Sequence, residues 1–272
     1  METIRVRAPA TTANLGPGFD CVGVALDLWN ELEVSMGNGE ADRSHPGVRA
    51  FERLAPADGL SFRFTDTIPR ERGLGSSAAV IALGLVAGAL AAGREPEPEE
   101  LFAQGFELEG HGDNLAAALA GGACLTAGTR ILRVADGLPA VPIALVPEST
   151  VSTAAARASL PQTVSHADAT FTAARAAVLG AALASGSADL FAQALDDRLH
   201  QPYRAKRTPI FAAVRAELPE GALGVTLSGS GPTVIVWARD DSVEACAADL
   251  SSRFADVRVL WLSVSPQGAG PA

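Results

Sequence analysis

The segment RGLGSSAAVIALGLVAG, residues 72–88, constrains the fold more than any other part of the sequence. A glycine-rich turn with two serines leads directly into an apolar run, and the alternating stretch LSFRFTDT precedes it as a strand. The apolar run covers about 17 residues, contains glycines and ends at a charged turn, so it is too short for a comfortable membrane span. We therefore predict a strand, a glycine loop and a buried helix that runs from Ser76 or Ser77 to about Ala92.

Two well-known phosphate-binding motifs do not match this loop. A P-loop requires a lysine after its second glycine, and the single lysine of the chain, Lys206, lies elsewhere. Gly73 and Gly75 match the start of a dinucleotide-binding fingerprint, but the region about twenty residues further on reads as a loop. Backbone N–H groups at a helix N-terminus still form an anion site, and the hydroxyls of Ser76 and Ser77 can bond phosphate or ligate Mg²⁺. Ordinary N-capping by a serine is the alternative explanation.

Composition and charge restrict the class of protein. The chain has 272 residues, of which 48% are hydrophobic and 19% charged, so we expect a globular protein with one large domain or two ordinary ones. The net charge of −10 disfavours general binding to nucleic acid or to anionic membranes, since both select basic surfaces. The first residues lack a basic segment followed by an apolar one, and the three cysteines lack metal-ligand spacing. These features predict a cytoplasmic protein with reduced thiols, no nucleic-acid partner and no membrane partner.

The order of the predicted elements indicates an α+β fold. The first third alternates as strands, beginning with IRVRAPA and returning in VALDLWNELEVSM. After the buried helix, PEPEE opens a second helix to about Glu109, NLAAALAGG forms a short third one, and three strands follow. The second half has three amphipathic helices, one of them SADLFAQALDDRLHQ, and then strands around the helix SVEACAADLSSRFA. We predict two domains, residues 1–146 and 147–272, with SPQGAGPA as a loose tail.

Four segments, in order along nearly the whole chain, resemble the motifs of one kinase family. They are APATTANLGPGFDCVGVALDLWN (8–30), PRERGLGSSAA (69–79), EGHGDNLAAALAGG (109–122) and LSGSGPTVIVWA (227–238). The set resembles the GHMP kinases, named for galactokinase, homoserine kinase, mevalonate kinase and phosphomevalonate kinase, and among them the homoserine kinases. Each segment could arise by chance, but the four in this order indicate the family.

This resemblance implies a two-domain GHMP kinase fold in which the N-terminal domain (ribosomal protein S5 domain 2-like) binds ATP and the C-terminal domain is ferredoxin-like. It implies that the ATP phosphates are wrapped by the residues of the glycine loop: Arg72, Gly73, Leu74, Gly75, Ser76, Ser77 and Ala78. It also implies that Mg²⁺ is held by Ser77 and a glutamate of FELEG. We expect Glu107 rather than Glu109, because the metal-binding glutamate of the family heads this pattern.

At the acceptor end, the resemblance implies that the substrate is L-homoserine. Arg157 and Arg204 are expected to bind its carboxylate, whose geometry matches a guanidinium fork. Asn14 and Asp20 are expected to bind its ammonium group. The C-terminal glycine motif, with Gly229, is expected near the same site.

The catalytic residues that the resemblance implies stand beside the acceptor hydroxyl: His111, Asp113 and Asn114. We expect Asp113 to contact the substrate and Asn114 to orient the hydroxyl. The proton acceptor stays open between the aspartate position that serves as a candidate base in mevalonate kinases and direct transfer to the γ-phosphate. Direct transfer is chemically sufficient because a weak base is enough for a loose transition state.

Two other functions stay open from the sequence: a GHMP kinase for another small alcohol, such as mevalonate or a sugar, and an inactive nucleotide-binding relative. Gly112 and Ala117 replace prolines of the family motif, which loosens the backbone without removing a polar group. The segment 31–68 looks shorter than in relatives, so the adenine contacts stay open. A homodimer is expected only as the habit of the family.

Overall fold

The computed structural model of the protein describes residues 2–37 and 41–272, which form two antiparallel sheets with helices packed around them. The strands are β1 (Ile4–Asn14), β2 (Gly18–Met36), β3 (Leu60–Thr65), β4 (Ala123–Ala127), β5 (Arg130–Ala135), β6 (Val141–Val146), β7 (Ala222–Leu227), β8 (Val234–Ala238), β9 (Arg258–Trp261) and β10 (Gly270–Pro271). The helices are α1 (Pro46–Phe51), α2 (Ser76–Ala91), α3 (Pro98–Glu109), α4 (Asp113–Ala120), α5 (Thr153–Ala158), α6 (His166–Ser185), α7 (Ala188–Ala194), α8 (Gln201–Arg204), α9 (Pro209–Ala216) and α10 (Val243–Arg253). Because strands and helices are mixed without regular alternation, the predicted α+β class is confirmed.

The first sheet has the strand order β10-β1-β2-β4-β5, with β3 paired to β2. β1 and β2 form one long hairpin, in which Ile4 pairs with Val34 and Asn14 with Gly18. In the turn between them, Asn14 and Leu15 have positive φ angles of 74° and 45°. Such angles are uncommon for residues other than glycine and cluster at tight turns and functional sites. The turn-rich motif ANLGPGFD is therefore a tight connection at the end of a buried strand.

Helix α2 packs against β1 and β2 of the first sheet and contributes many residues to the larger core. It begins at Ser76 and ends at Ala91, and residues 78–89 are buried, so the predicted buried helix is confirmed. A Cβ atom at Gly84 would lie 2.0 Å from the carbonyl oxygen of Gly47, so this glycine lets α1 approach α2 closely. Within the described part of the chain, no helix has both the length and the apolar character needed to cross a membrane.

The second sheet has the strand order β7-β8-β6-β9. Alternate residues of β8 face two cores, as the period of a strand requires. Val236 joins the core formed with α9 and α10, whereas Trp237 joins the larger core that contains α2 and the first sheet. The predicted division at residue 146 stays a prediction, since β6 lies before that position yet hydrogen-bonds to β8 and β9, and β10 returns to β1.

The helix predicted over SADLFAQALDDRLHQ is wrong in its second half. α7 ends at Ala194, and the chain turns before α8 begins at Gln201. The carboxylate of Asp197 causes this turn, because it accepts backbone N–H bonds from His200 at 2.9 Å and from Gln201 at 2.7 Å. Bonds from a side chain to nearby backbone groups compete with helix continuation. The turn also directs Arg204 towards the cleft described below.

The C-terminal segment SPQGAGPA is not a loose tail. Gly270–Pro271 pairs with β1, and the N–H of Ala269 donates to the carbonyl of Ala118 at 2.7 Å. A Cβ atom at Gly268 would lie 2.0 Å from the carbonyl oxygen of Leu119, so the segment packs directly on the end of α4. The sequence could not reveal this, because the partners are remote and the segment is too short to carry a pattern.

Candidate active site

A cleft lies where the two sheets meet, with a cavity of about 220 Å³, somewhat smaller than the roughly 300–1,000 Å³ of most small-molecule sites. Its walls come from the β1–β2 turn, the glycine loop, the N-terminal ends of α4 and α5, α8, and the β7–β8 turn. The structure brings together most of the predicted site residues there, namely Asn14, Asp20, Gly73, Gly75, Ser76, Ser77, His111, Asp113, Asn114, Arg157, Arg204 and Gly229.

The glycine loop ends at the N-terminus of α2. Gly73 and Gly75 have φ angles of 78° and 67°, in the left-handed region that side chains disfavour. A Cβ atom at Gly73 would lie 2.3 Å from the carbonyl oxygen of Ser228, and one at Gly75 would lie 1.8 Å from Oγ1 of Thr11. Gly75 is the N-cap, so the explanation of Ser76 or Ser77 as an ordinary cap is wrong. The first amides of α2 lack partners within the helix, and Ser76 and Ser77 line the cleft, so this helix end is suited to binding an anion.

Hydrogen bonds tie the glycine loop to the first and last motifs. The hydroxyl of Ser228 donates to the carbonyl of Gly73 at 2.6 Å, and it also lies 2.9 Å from Oγ1 of Thr12. The N–H of Gly229 donates to the carbonyl of Ala13 at 3.1 Å. Because three distant segments hold one another in this way, the glycine loop is fixed by the whole fold and not only by its own glycines.

Ser77 and Glu109 form a hydrogen-bonded pair of oxygen groups beside the N-terminus of α2. The hydroxyl of Ser77 donates to Oε2 of Glu109 at 2.8 Å, and the Glu109 side chain is only 9% exposed. Nδ1 of His111 lies 3.8 Å from the other oxygen of this carboxylate. Within the described ranges, no group of three or more His, Cys, Asp or Glu side chains is arranged to hold a metal ion. One carboxylate and one hydroxyl instead match Mg²⁺, which takes few protein ligands and completes its shell with phosphates and waters.

Glu107, the expected metal ligand, lies outside the cleft. Its carboxylate pairs with Arg53 at 3.1 Å, and its side chain is 67% exposed. Residues two positions apart on a helix point in nearly opposite directions, so only one of Glu107 and Glu109 can face α2. The structure thus places Glu109, not Glu107, beside Ser77, because Glu109 follows the buried positions Leu101 and Gly105 at intervals of four.

In the same cleft as the glycine loop, Asp20 and Arg157 form a bidentate ion pair. The two guanidinium nitrogens lie 2.9 and 3.0 Å from the two carboxylate oxygens, and both side chains remain partly exposed to the cleft. The hydrogen bonds to Asp20 raise the pKa of Arg157 above its ordinary value. Asp20 has a φ angle of 57°, and its N–H donates to Oδ1 of Asn14 at 3.0 Å. The two groups thus present opposite charges to the same space.

Arg204 supplies a second cation and is almost completely buried. Its Nη1 donates to the carbonyl of Gly229 at 3.0 Å, whereas its Nε has no hydrogen-bond partner among the described residues. Burial lowers the pKa of Arg204, a desolvation that a bound anion would offset. Its guanidinium carbon lies 5.0 Å from the ring centre of Phe19, and His200 stacks on the same ring. Arg204 is therefore rigidly held and keeps an N–H donor without a partner among the described residues, as suits the binding of a carboxylate.

Asp113 and Asn114 open helix α4 at the floor of the cleft. Oδ1 of Asp113 accepts bonds from the backbone N–H of Asn114 at 2.7 Å and from its Nδ2 at 3.2 Å. Burial raises the pKa of Asp113, although these bonds oppose the shift. Oδ1 of Asn114 accepts a bond from the Thr11 hydroxyl at 2.7 Å. A buried carboxylate and an oriented amide therefore line the same cleft as the N-terminus of α2 and the Asp20–Arg157 pair.

Sequence comparison decides the family. Two family profiles match, the GHMP kinases N terminal domain over residues 46–122 and the GHMP kinases C terminal domain over residues 179–256. The homoserine kinase of Synechococcus sp. is 41% identical over 268 residues, which cover 89% of this chain and 88% of that protein. The homoserine kinase of Gloeobacter violaceus is 40% identical over 97% of both chains. The chain belongs to the homoserine kinase family of GHMP kinases.

Solved structures agree with membership of the homoserine kinase family. The crystal structure of homoserine kinase from Cytophaga hutchinsonii has a TM-score of 0.89 at 25% identity and covers 100% of this chain and 98% of that one. The mevalonate kinase of Methanococcus jannaschii has a TM-score of 0.72 at 14% identity, with 97% and 98% covered, so it supports the fold alone. The two-domain GHMP kinase fold predicted from the motifs is confirmed.

Three predicted phosphate-loop residues of this homoserine kinase family member do not line the cleft with their side chains. Leu74 and Ala78 are fully buried in the core under the loop. The guanidinium of Arg72 donates to the backbone carbonyls of Pro147 at 3.0 Å and Glu148 at 2.7 Å. Arg72 therefore fastens the loop to the segment after β6 rather than reaching towards a phosphate.

Sequence reasoning missed Thr11, Phe19 and His200. All three lie in or beside quoted motifs, but Thr11 reads as one residue of an alternating strand and Phe19 as an ordinary apolar residue. His200 is fully buried, and its Nε2 donates to the carbonyl of Gly16 at 2.7 Å. No pattern in the sequence marks these residues, because their contacts with Asn114, Arg204 and Gly16 join segments that are remote in the chain.

Proposed function

We propose that the protein transfers the γ-phosphate of ATP to the side-chain hydroxyl of L-homoserine, giving O-phospho-L-homoserine in threonine biosynthesis. The observation that carries this proposal is a single cleft in which an anion-binding loop faces paired charges suited to a zwitterionic amino acid. Membership of the GHMP kinases supports ATP as the donor, and the names of the relatives support homoserine as the acceptor.

An amino-acid acceptor accounts for the charges opposite the loop. Homoserine carries one carboxylate and one ammonium group, and the cleft offers the cations Arg157 and Arg204 beside the anion Asp20. In the Asp20–Arg157 pair each charge already has a partner, so a zwitterion exchanges one ion pair for two without leaving a charge unpaired. Mevalonate has no ammonium group, and a sugar has neither charge, so each would leave part of this set unused.

The donor end accounts for the glycine loop and the Ser77–Glu109 pair. The α2 N-terminus and the amides of residues 73–77 bind the triphosphate by hydrogen bonds and the helix dipole. Ser77 and Glu109 fit Mg²⁺, since hydroxyl and carboxylate oxygens are its usual protein ligands and the two already lie 2.8 Å apart. When bound there, the ion neutralises charge on the phosphates. The absence of a P-loop lysine is consistent with this division of labour.

At the centre of the cleft, Asn114 and Asp113 orient the acceptor. Phosphoryl transfer requires in-line positioning and charge neutralisation more than a strong base. Asn114 holds the acceptor hydroxyl, and Asp113 contacts the substrate. The hydroxyl proton passes to Asp113, whose pKa burial raises, or directly to the γ-phosphate.

Two further parts of the proposal concern the context of the enzyme. We place it in the cytoplasm, as a homodimer without a nucleic-acid partner, on the strength of its acidic composition and the habit of its family. The adenine contacts are not part of this proposal, and of the segment 31–68 the residues 38–40 lie outside the described residues.

A coupled ADP-release assay with homoserine, mevalonate and galactose tests the proposal. We expect Mg²⁺-dependent ADP release with homoserine and only background release with the other two alcohols. Preferred turnover of mevalonate or galactose would transfer the chain to another GHMP activity. ATP binding without release with any acceptor would identify an inactive nucleotide-binding relative.

A further inference from the structure

We propose that Thr11 is a positioning residue for phosphoryl transfer, because it fixes the Asn114 amide with its N–H group towards the acceptor hydroxyl. This inference rests on the proposed function, in which Asn114 orients that hydroxyl. Thr11 does not line the cleft and contacts neither substrate site directly, so its effect would pass through Asn114.

The contacts of Asn114 determine which way its amide points. Thr11 is fully buried on β1, and its Oγ1 lies 2.7 Å from Oδ1 of Asn114. On the other side, Nδ2 of Asn114 lies 3.2 Å from Oδ1 of Asp113. An ionised carboxylate only accepts hydrogen bonds, so it takes the amide nitrogen, and the Thr11 hydroxyl donates to the amide oxygen. The reverse orientation would place two acceptor oxygens against each other.

This orientation has a chemical consequence for the acceptor. The second hydrogen on Nδ2 of Asn114 remains for the cleft, so the acceptor oxygen receives a hydrogen bond there. A hydroxyl oxygen has two lone pairs: one accepts this bond, and the other is left to attack the γ-phosphorus. Its own proton then points away from Asn114, towards Asp113 or the phosphate oxygens. An amide turned by 180° would bind the proton of the hydroxyl instead and orient it wrongly.

Thr11 is itself held at the junction of the two substrate sites. Its N–H donates to the carbonyl of Leu74 at 3.1 Å, within the glycine loop. A Cβ atom at Gly75 would lie 1.8 Å from its Oγ1, so the hydroxyl sits directly beneath the loop. A β-branched side chain is stiff about χ1, which keeps the hydroxyl directed at Asn114. One residue thereby relates the acceptor amide to the phosphate loop.

The test compares Thr11→Val, which keeps the shape and loses the donor, with Thr11→Ser, which keeps the donor. Thr226→Val is the matched control, because Thr226 is also buried and its hydroxyl oxygen accepts a hydrogen bond from Nε1 of Trp237 in the second sheet at 2.9 Å. We expect Thr11→Val to lower kcat about 10- to 100-fold, the usual cost of losing a partner that orients a reacting group. KM for ATP and for homoserine should change less than about threefold, and Thr11→Ser should restore most of kcat.

A double-mutant cycle separates positioning from simple destabilisation. If Thr11 acts through Asn114, Thr11→Val should lower kcat no further in an Asn114→Ala background. Additive losses, wild-type kcat in Thr11→Val, or a kcat in Thr11→Ser as low as in Thr11→Val would each overturn the proposal. Should Thr11→Val not fold, Thr11→Cys gives the same comparison, because its thiol is only a weak donor. Its kcat is expected to lie between that of Thr11→Ser and that of Asn114→Ala. Failure of the proposed function itself is distinguishable, because the unaltered protein would then release no ADP with homoserine.

Discussion

The most discriminating prediction concerns the two glutamates of FELEG, because sequence and structure favour different ones. Replacing Glu109 with glutamine keeps its size and its ability to accept the bond from Ser77 but removes its charge. Any cation bound by the Ser77 hydroxyl lies within about 4 Å of this carboxylate, since the two oxygens are 2.8 Å apart. Two unit charges at that distance interact by about 4 kcal/mol at an effective dielectric constant of 20. That figure corresponds to a loss of up to about 10³-fold in rate.

Glu107→Gln is the matched control on the same helix. Glu107 is 67% exposed and its partner Arg53 is 38% exposed, so their ion pair contributes at most about 1 kcal/mol to folding. We expect this variant to retain kcat within about twofold. We expect Glu109→Gln to lose about 10²- to 10³-fold in kcat, as when one preorganised polar group is removed from an active site.

The assay is ADP release at saturating homoserine, measured over a Mg²⁺ titration for both variants. Excess Mg²⁺ should recover part of the activity of Glu109→Gln. The Mg²⁺ dependence of Glu107→Gln should match that of the unaltered protein. If Glu107→Gln were inactive and Glu109→Gln were fully active, the placement of the metal ligand from the structure would be refuted.

Three further predictions use other groups. Arg157→Ala and Arg204→Lys should each raise KM for homoserine about 10- to 100-fold, the equivalent of one charge-assisted bond, and leave KM for ATP unchanged in steady-state kinetics. Asp113→Asn should lower kcat yet raise Tm at pH 7 by about 2–4 °C per kcal/mol. Burial raises the pKa of Asp113, so its charged form costs stability above its ordinary pKa of about 3.9. The gain in Tm should vanish in melts near pH 4, and a lower Tm at pH 7 would contradict the reasoning. Burial lowers the pKa of His200, so its contribution to stability should be full above the ordinary pKa of about 6.5 and decline as pH falls towards the lowered value. In melts from pH 8 to 5, His200→Asn should lose stability less steeply than the unaltered protein, and an equal slope would refute this assignment.

Local pattern predicted the parts of the fold that depend on neighbours in the chain. The glycine loop and the buried helix α2 follow from one continuous segment, and the structure places their boundary at Ser76. The family motif favoured Glu107 over Glu109, whereas helical periodicity favours Glu109 as the residue that faces the core. Glu109 continues the buried row of Leu101 and Gly105, whereas Glu107 continues an exposed one.

Contacts between remote segments could not be predicted. The interruption after α7 depends on Asp197, whose sequence context is equally compatible with a continuous helix. The bond between Thr11 and Asn114 joins residues 103 positions apart. The sequence therefore named most of the site residues, but their division into those that touch the cleft and those that hold other residues required the packed structure.

The last strand has a consequence for synthesis of the protein. β10 is the outer neighbour of β1, so the first sheet is incomplete until Pro271 has left the ribosome. At typical translation rates that moment comes roughly 10 to 50 s after β2 has emerged. During this interval the outer edge of β1 has no native partner, and an unpaired strand edge invites association with other chains.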